Sequence, residues 1–205
     1  MAGAADRVRE AALDLFADRG FHGVGIRQLA DRAGLSSASL YHYMGTKEDL
    51  LAAIMRECLG RLLRDAEAAA AAHADPVARV EALVRAHVVS HAERPRETRV
   101  VDGELAALSG GPRAEVVALR DSYERVWQDA IDAGAAAGAF TVGSPAVARR
   151  ALLEMCSGVA RWYDAAGPIS LEELADLYAA MARQLLGVRP ADGPPDGPGH
   201  APDDD

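Results

Sequence analysis

Little in this chain can cross-link, chelate or catalyse in familiar ways. Its two cysteines, Cys58 and Cys156, stand far apart with no CxxC spacing, which excludes a disulfide framework and leaves them as small buried apolar groups. No apolar run reaches the about 20 residues needed to span a bilayer, because Arg, Asp or Glu breaks each one within a turn or two. Met1-Ala2-Gly3 leads directly into charged residues without the apolar core of a signal peptide, so the expected location is the cytoplasm. No stretch alternates apolar and polar residues for long, so strands do not compete with helices. A glycine-rich phosphate loop, a Ser-His-Asp arrangement at a strand turn and a spaced carboxylate pair are all missing, which lowers the weight of an enzymatic reading. No cofactor is expected.

A surplus of positive charge is also absent. The net charge is -9, and five of the acids, Asp192, Asp196, Asp203, Asp204 and Asp205, lie in the last stretch. Residues 1 to 50 hold six bases against seven acids. Any binding of a polyanion by this part must rest on a few placed donors, with weak non-specific affinity and a shallow salt dependence.

What is present is helical period. DRVREAALDLFADR places Val8, Ala12, Leu15 and Phe16 on one face, with Gly20 as a stop. In IRQLADRAGLSSASLYHYMGTK, Ile26, Leu29 and Ala30 recur at helical spacing and Ala33-Gly34-Leu35 interrupts them. Ser36 then opens a short second segment with Leu40 and Met44 inward. Helix, tight turn and short helix make a helix-turn-helix unit, whose second member is small enough to enter a major groove. A long helix follows from Lys47, started by Thr46 and Asp49 in a short-armed capping box, and it carries Leu50, Leu51, Ile54, Met55, Cys58, Leu59, Leu62 and Leu63. Beyond Pro76 come five more: one up to Pro95, a shorter one interrupted at Gly103 and ending at Gly110-Gly111, one from Pro112 to Gly138, one from Pro145 to Ala166, and one from Ser170 to Gly187. The expected fold is therefore all-α with nine helices. Its expected boundaries are a DNA-reading domain over 1–46, a second helical domain over 47–188, and an acidic tail over 189–205 too rich in Pro, Gly and Asp to fold.

The segment GFHGVGIRQLADRAGLSSASLYHYMGTKEDL resembles the DNA-binding domain of the TetR/AcrR family of bacterial transcriptional regulators. The match runs from Phe16 and Gly20-Phe21 through Ile26, Leu29-Ala30, Ala33-Gly34-Leu35-Ser36 and Leu40-Tyr41 to Lys47-Glu48 and Leu50. Two positions depart from it. Val24-Gly25 stands where the family usually has a threonine pair, which removes one phosphate contact, and Ala38 replaces a common glycine at the closest approach to DNA.

The resemblance implies that Ser36, Ser37, Ala38, Ser39 and His42 lie at the groove and that Tyr41, Tyr43 and Lys47 meet phosphates of double-stranded operator DNA. The alternative for Tyr41 is a place in the small core. Arg27 is read either as a base or phosphate contact or as a surface charge. The resemblance further implies a homodimer sealed by the last two long helices, with Leu152, Met155, Val159, Leu174, Leu177, Tyr178, Met181 and Leu185 as seam residues, and a near-palindromic operator.

His87 and His91, four apart on one helix face, have the spacing by which two imidazoles share a metal, with Glu93 and Glu104 as possible partners. No third ligand completes a local pattern, so the wall of a ligand cavity is the preferred reading and no metal is assigned. Glu104, Tyr123, Trp127, Met155 and Trp162 join the two histidines as candidate cavity residues, and the aromatics read equally as core. The competing reading is a helical enzyme or metal-binding module built on His87 and His91. The second domain is also similar to actinobacterial family members that sense acyl-CoA thioesters. That resemblance implies a small hydrophobic or acyl-CoA effector, with Arg94, Arg96, Arg99 and Arg120 available to an anionic end.

Overall fold

The computed structural model describes residues 3–188, so the expected disordered tail lies outside the described residues. Among the described residues the chain is helical without strands: α1 (Ala4–Arg19), α2 (Ile26–Ala33), α3 (Ser37–Met44), α4 (Lys47–Ala71), α5 (Pro76–Glu93), α6 (Pro95–Gly103), a short 3₁₀ turn (Leu105–Ala107), α7 (Gly110–Ala136), α8 (Pro145–Ser157), α9 (Val159–Trp162) and α10 (Leu171–Leu185). The nine expected helices are all present, the eighth being broken at Gly158 into α8 and the single turn α9.

Local chemistry sets most of the starts. Ser36, Thr46, Asp75, Ser144 and Ser170 each accept a hydrogen bond from the backbone N–H three residues on, satisfying a donor that the first helical turn leaves free. Asp49 completes the reciprocal box by accepting from the Thr46 N–H at 3.0 Å. Gly34 turns α2 into α3 at φ 66°, ψ 39°, a left-handed conformation that a side chain disfavours.

Three boundaries differ from expectation. Pro95 opens α6 instead of merely closing α5, because its ring pushes Arg94 out of the helical region, to φ -127°, ψ 55°, and the chain bends there. Gly110-Gly111 begin α7 instead of ending α6, since the Ser109 carbonyl already accepts the Arg113 N–H at 3.2 Å. The eighth helical segment stops at Trp162, where Tyr163 turns extended, four residues short of Ala166.

α1, α2 and α3 close a small core of Val8, Phe16, Phe21, Leu29, Leu40 and Met44. Its apolar side is continuous with the larger core, where α4 lies along α7 and α5 along α10. Met55, Cys58, Val84, Trp127, Leu152 and Leu174 are its fully enclosed centre. Burial pushes the Cys58 and Cys156 thiols up to about 12, which keeps both protonated and unreactive. No helix among the described residues is long and apolar enough to cross a membrane.

Candidate functional site

The outer end of the molecule is the exposed face of α3. Ser36 caps it, and its hydroxyl also lies 2.9 Å from that of Ser39, so these two serines are tied to one another at the helix start. Ser37 is half-buried, while Ala38, Ser39, Tyr41, His42 and Tyr43 are exposed. Tyr41 and Tyr43 are 52% and 46% exposed, large values for aromatic side chains, so neither belongs to the small core. The His42 and Tyr43 rings meet edge to face at 5.2 Å. Arg27 is exposed on α2. Val24 packs inward, Gly25 caps α2 without a side chain, and Gln28 reaches back to accept the Gly25 N–H at 2.8 Å.

Lys47 is placed differently from the expected phosphate contact. Its ammonium donates to the carbonyls of Phe21 and Val24, both at 2.8 Å, and sits 4.1 Å from the centre of the Phe21 ring. Partial burial lowers its pKa. The chain's one lysine thus latches the first turn of α4 to the loop before α2.

Two carboxylates join this outer part to the body. Glu97 on α6, 5% exposed, accepts from Arg9 of α1 and Arg61 of α4. Asp14 of α1 is shared between Arg32 of α2 at 2.5 Å and Arg96 of α6 at 2.7 Å. Between these groups lies an open cleft of about 580 Å³ lined by Arg9, Glu10, Glu57, Arg61 and residues 93–97. Glu48 adds a third tie by accepting from the N–H and hydroxyl of Ser109 at 2.6 and 2.9 Å.

A second, smaller cavity of about 290 Å³ lies inside the body. Leu59, Leu62 and Leu153 give it apolar walls, and His87, His91, Asp102, Arg120, Tyr123 and Ser157 are among its polar ones. His87 and His91 stack with ring centres 3.8 Å apart and planes within 7°. His87 Nδ1 lies 2.6 Å from the Tyr123 hydroxyl and Nε2 lies 3.2 Å from the Ser157 hydroxyl, so both its nitrogens are occupied. Burial first, and the neighbouring His91 second, drive its pKa well below the usual histidine range. Burial likewise raises the Tyr123 phenol, which stays neutral. Trp127, wholly buried, backs His87 edge to face at 5.7 Å without lining the space.

Several candidates fall elsewhere. Glu104 projects toward Gly20 at the end of α1, not into the cavity. Trp162 is 53% exposed, and Met155 is half-buried outside the lining. Arg96 and Arg99 are engaged with Asp14 and the Pro95 carbonyl, and of the four proposed arginines only Arg120 reaches this cavity. With the two imidazoles stacked and Glu104 remote, no third ligand joins them. Among the described residues no group of three or more His, Cys, Asp or Glu side chains is placed to hold a metal. Asp102 and Ser157, which also line the cavity, were not candidates, because nothing in their local sequence marks them.

The seam candidates divide. Leu152, Val159, Leu174 and Tyr178 are buried in their own subunit, whereas Leu177, Met181 and Leu185 form an exposed stripe at four-residue spacing along α10. Val147 and Trp162, also exposed, add to the apolar surface of the C-terminal helices.

Residues 8–54 match the model of bacterial regulatory proteins of the tetR family, and residues 73–186 match the tetracyclin repressor-like C-terminal domain. The chain belongs to the TetR family. It is a ligand-responsive DNA-binding regulator, with α2 and α3 as its helix-turn-helix.

Among relatives, the HTH-type transcriptional repressor KstR2 of Mycolicibacterium smegmatis is 28% identical over 178 residues, covering 86% of this chain and 87% of that protein. A tetR-family regulatory protein from Rhodococcus RHA1 superposes with a TM-score of 0.84 at 29% identity, over 93% of this chain and all of the other. The structure of AibR in complex with isovaleryl coenzyme A and operator DNA gives 0.79 at 25% identity, over 91% and 100%.

Proposed function

We propose that this TetR-family protein is a dimeric repressor released from its operator by a small hydrophobic acyl thioester bound in the 290 Å³ cavity. One observation carries the reading: α6 holds Asp102 at the cavity wall and, one to two turns earlier, Arg96 and Glu97 in the ion pairs with Asp14 and Arg9 that fix α1. A ligand that moves α6 therefore moves the base of the reading head. The cavity sits at the small end of ligand sites, about 300–1,000 Å³, which suits a short acyl group with its nucleotide carried outside near Arg120 and Arg161. The similarity to AibR, solved with isovaleryl coenzyme A and operator DNA, supports the same class.

On DNA, Ser37, Ala38, Ser39 and His42 face the groove while Tyr41, Tyr43 and Arg27 reach phosphates or base edges. Two copies joined through Leu177, Met181 and Leu185 set the spacing of two such heads to successive major grooves, roughly 34–36 Å or somewhat more. Operator and effector then oppose each other by one reciprocal factor. The test is a gel shift on the gene's own upstream DNA with short-chain acyl-CoA titrated in. A shifted band that the thioester dissolves is expected; a band indifferent to every thioester sinks the effector class, and no band at all sinks the repressor.

A further inference from the structure

His91 is the one polar group on the cavity wall whose buried nitrogen lacks a proper partner. Its side chain is 1% exposed. Nδ1 lies 2.9 Å from the His87 carbonyl, an oxygen that can only accept, so Nδ1 carries the hydrogen. In the neutral ring this leaves Nε2 as a bare lone pair, and Nε2 makes no hydrogen bond. The nearest charged group is Asp102 Oδ2 at 3.5 Å, itself an acceptor and 34% exposed to water, so two electron-rich atoms lie close with no hydrogen bond between them. A buried acceptor left in this state is costly, and a ligand that satisfies it regains that cost.

From this geometry we infer that the cavity selects an effector bearing a hydrogen-bond donor, a hydroxyl on a compact apolar body, with His91 Nε2 as its acceptor. The inference rests on the effector reading of this cavity and specifies the ligand's functional group. Leu59, Leu62 and Leu153 receive the apolar body. Arg120 gives one N–H to the Val101 carbonyl at 2.8 Å and keeps others that can serve the lone pairs of the ligand's oxygen. His87 cannot substitute, since Tyr123 and Ser157 occupy both of its nitrogens. An alternative state, an imidazolium paired with Asp102, would present an N–H at Nε2 and favour a ligand that only accepts.

Cyclohexanol and cyclohexanone separate the two, being alike in size and differing in the donor. Calorimetric titration of the full-length protein is expected to show the alcohol binding about fivefold more tightly, the worth of one neutral hydrogen bond. His91→Phe should erase that preference. Because that variant can fail to fold, ¹⁵N spectra of the wild-type imidazoles provide an independent reading. A neutral Nδ1–H tautomer at His91, with Nε2 shifting on addition of the alcohol, supports the assignment. A doubly protonated His91, equal affinities, preference for the ketone, or no binding of either probe overturns it. Operator binding is measured separately, so a protein that shifts its own promoter yet prefers the ketone loses only this inference.

Discussion

Glu97→Ala is the perturbation that most directly probes how the reading head is held. The Glu97 side chain is 7% exposed and its two oxygens serve Arg9 and Arg61, which are 26% and 20% exposed. Removing one partner of a buried ion pair costs about 3–5 kcal/mol. Here the arginines recover some water and Arg9 keeps Glu57 at 3.0 Å, so about 2–3 kcal/mol is expected. At about 2–4 °C per kcal/mol for a chain of this size, Tm should fall by roughly 5–10 °C. Glu97→Gln, which preserves shape and one acceptor oxygen, should lose roughly half as much. Urea titration at one fixed protein concentration reads the stability, because any dimer contribution depends on concentration. The same variant should retain effector affinity while the effector loses most of its ability to release DNA. A destabilisation below about 0.5 kcal/mol together with unchanged coupling would refute the idea that α6 grips α1 through this carboxylate.

Tyr41→Phe and Tyr43→Phe should each weaken operator binding about two- to tenfold with Tm unchanged, since each removes one exposed hydroxyl; fluorescence anisotropy and a melt on the same sample check both. Met181→Glu places a charge in the exposed α10 stripe and should yield helical monomers that no longer bind operator; sedimentation showing an intact dimer would remove α10 from the seam. His87 stays neutral in the folded protein and titrates near 6.5 when unfolded, so below that pH the unfolded chain binds more protons. Stability should therefore hold above pH 6.5 and fall as pH drops beneath it, by up to about 1.4 kcal/mol per pH unit, a slope that His87→Gln should flatten in denaturant titrations at pH 7.5, 6.5 and 5.5.

Features settled within one helical turn were legible in the sequence. Ser36, Thr46 and Ser170 cap the helices they precede, and Gly34 makes the turn, because a cap or a left-handed residue answers to neighbours three or four positions away. The spacing from Ile26 to Met44 was sufficient to find the helix-turn-helix for the same reason. Assignment among long-range neighbours was not legible. Leu174, Leu177, Tyr178 and Met181 look alike as an apolar stripe, yet Leu174 and Tyr178 turn into their own subunit while Leu177 and Met181 do not. Periodicity gives a helix a greasy side but not the edge at which α5 stops covering it.

Charges behaved likewise. Lys47 turned to carbonyls 23 and 26 residues back, Glu97 gathered arginines 88 and 36 residues away, and Glu104 missed a cavity that Asp102, two positions earlier, lines. Sequence alone thus determined the helices, most of their starts and the family to which they belong. Which side chains line the inner cavity and which tie α6 to α1 was decided by tertiary packing, because those partners meet only once the bundle has closed.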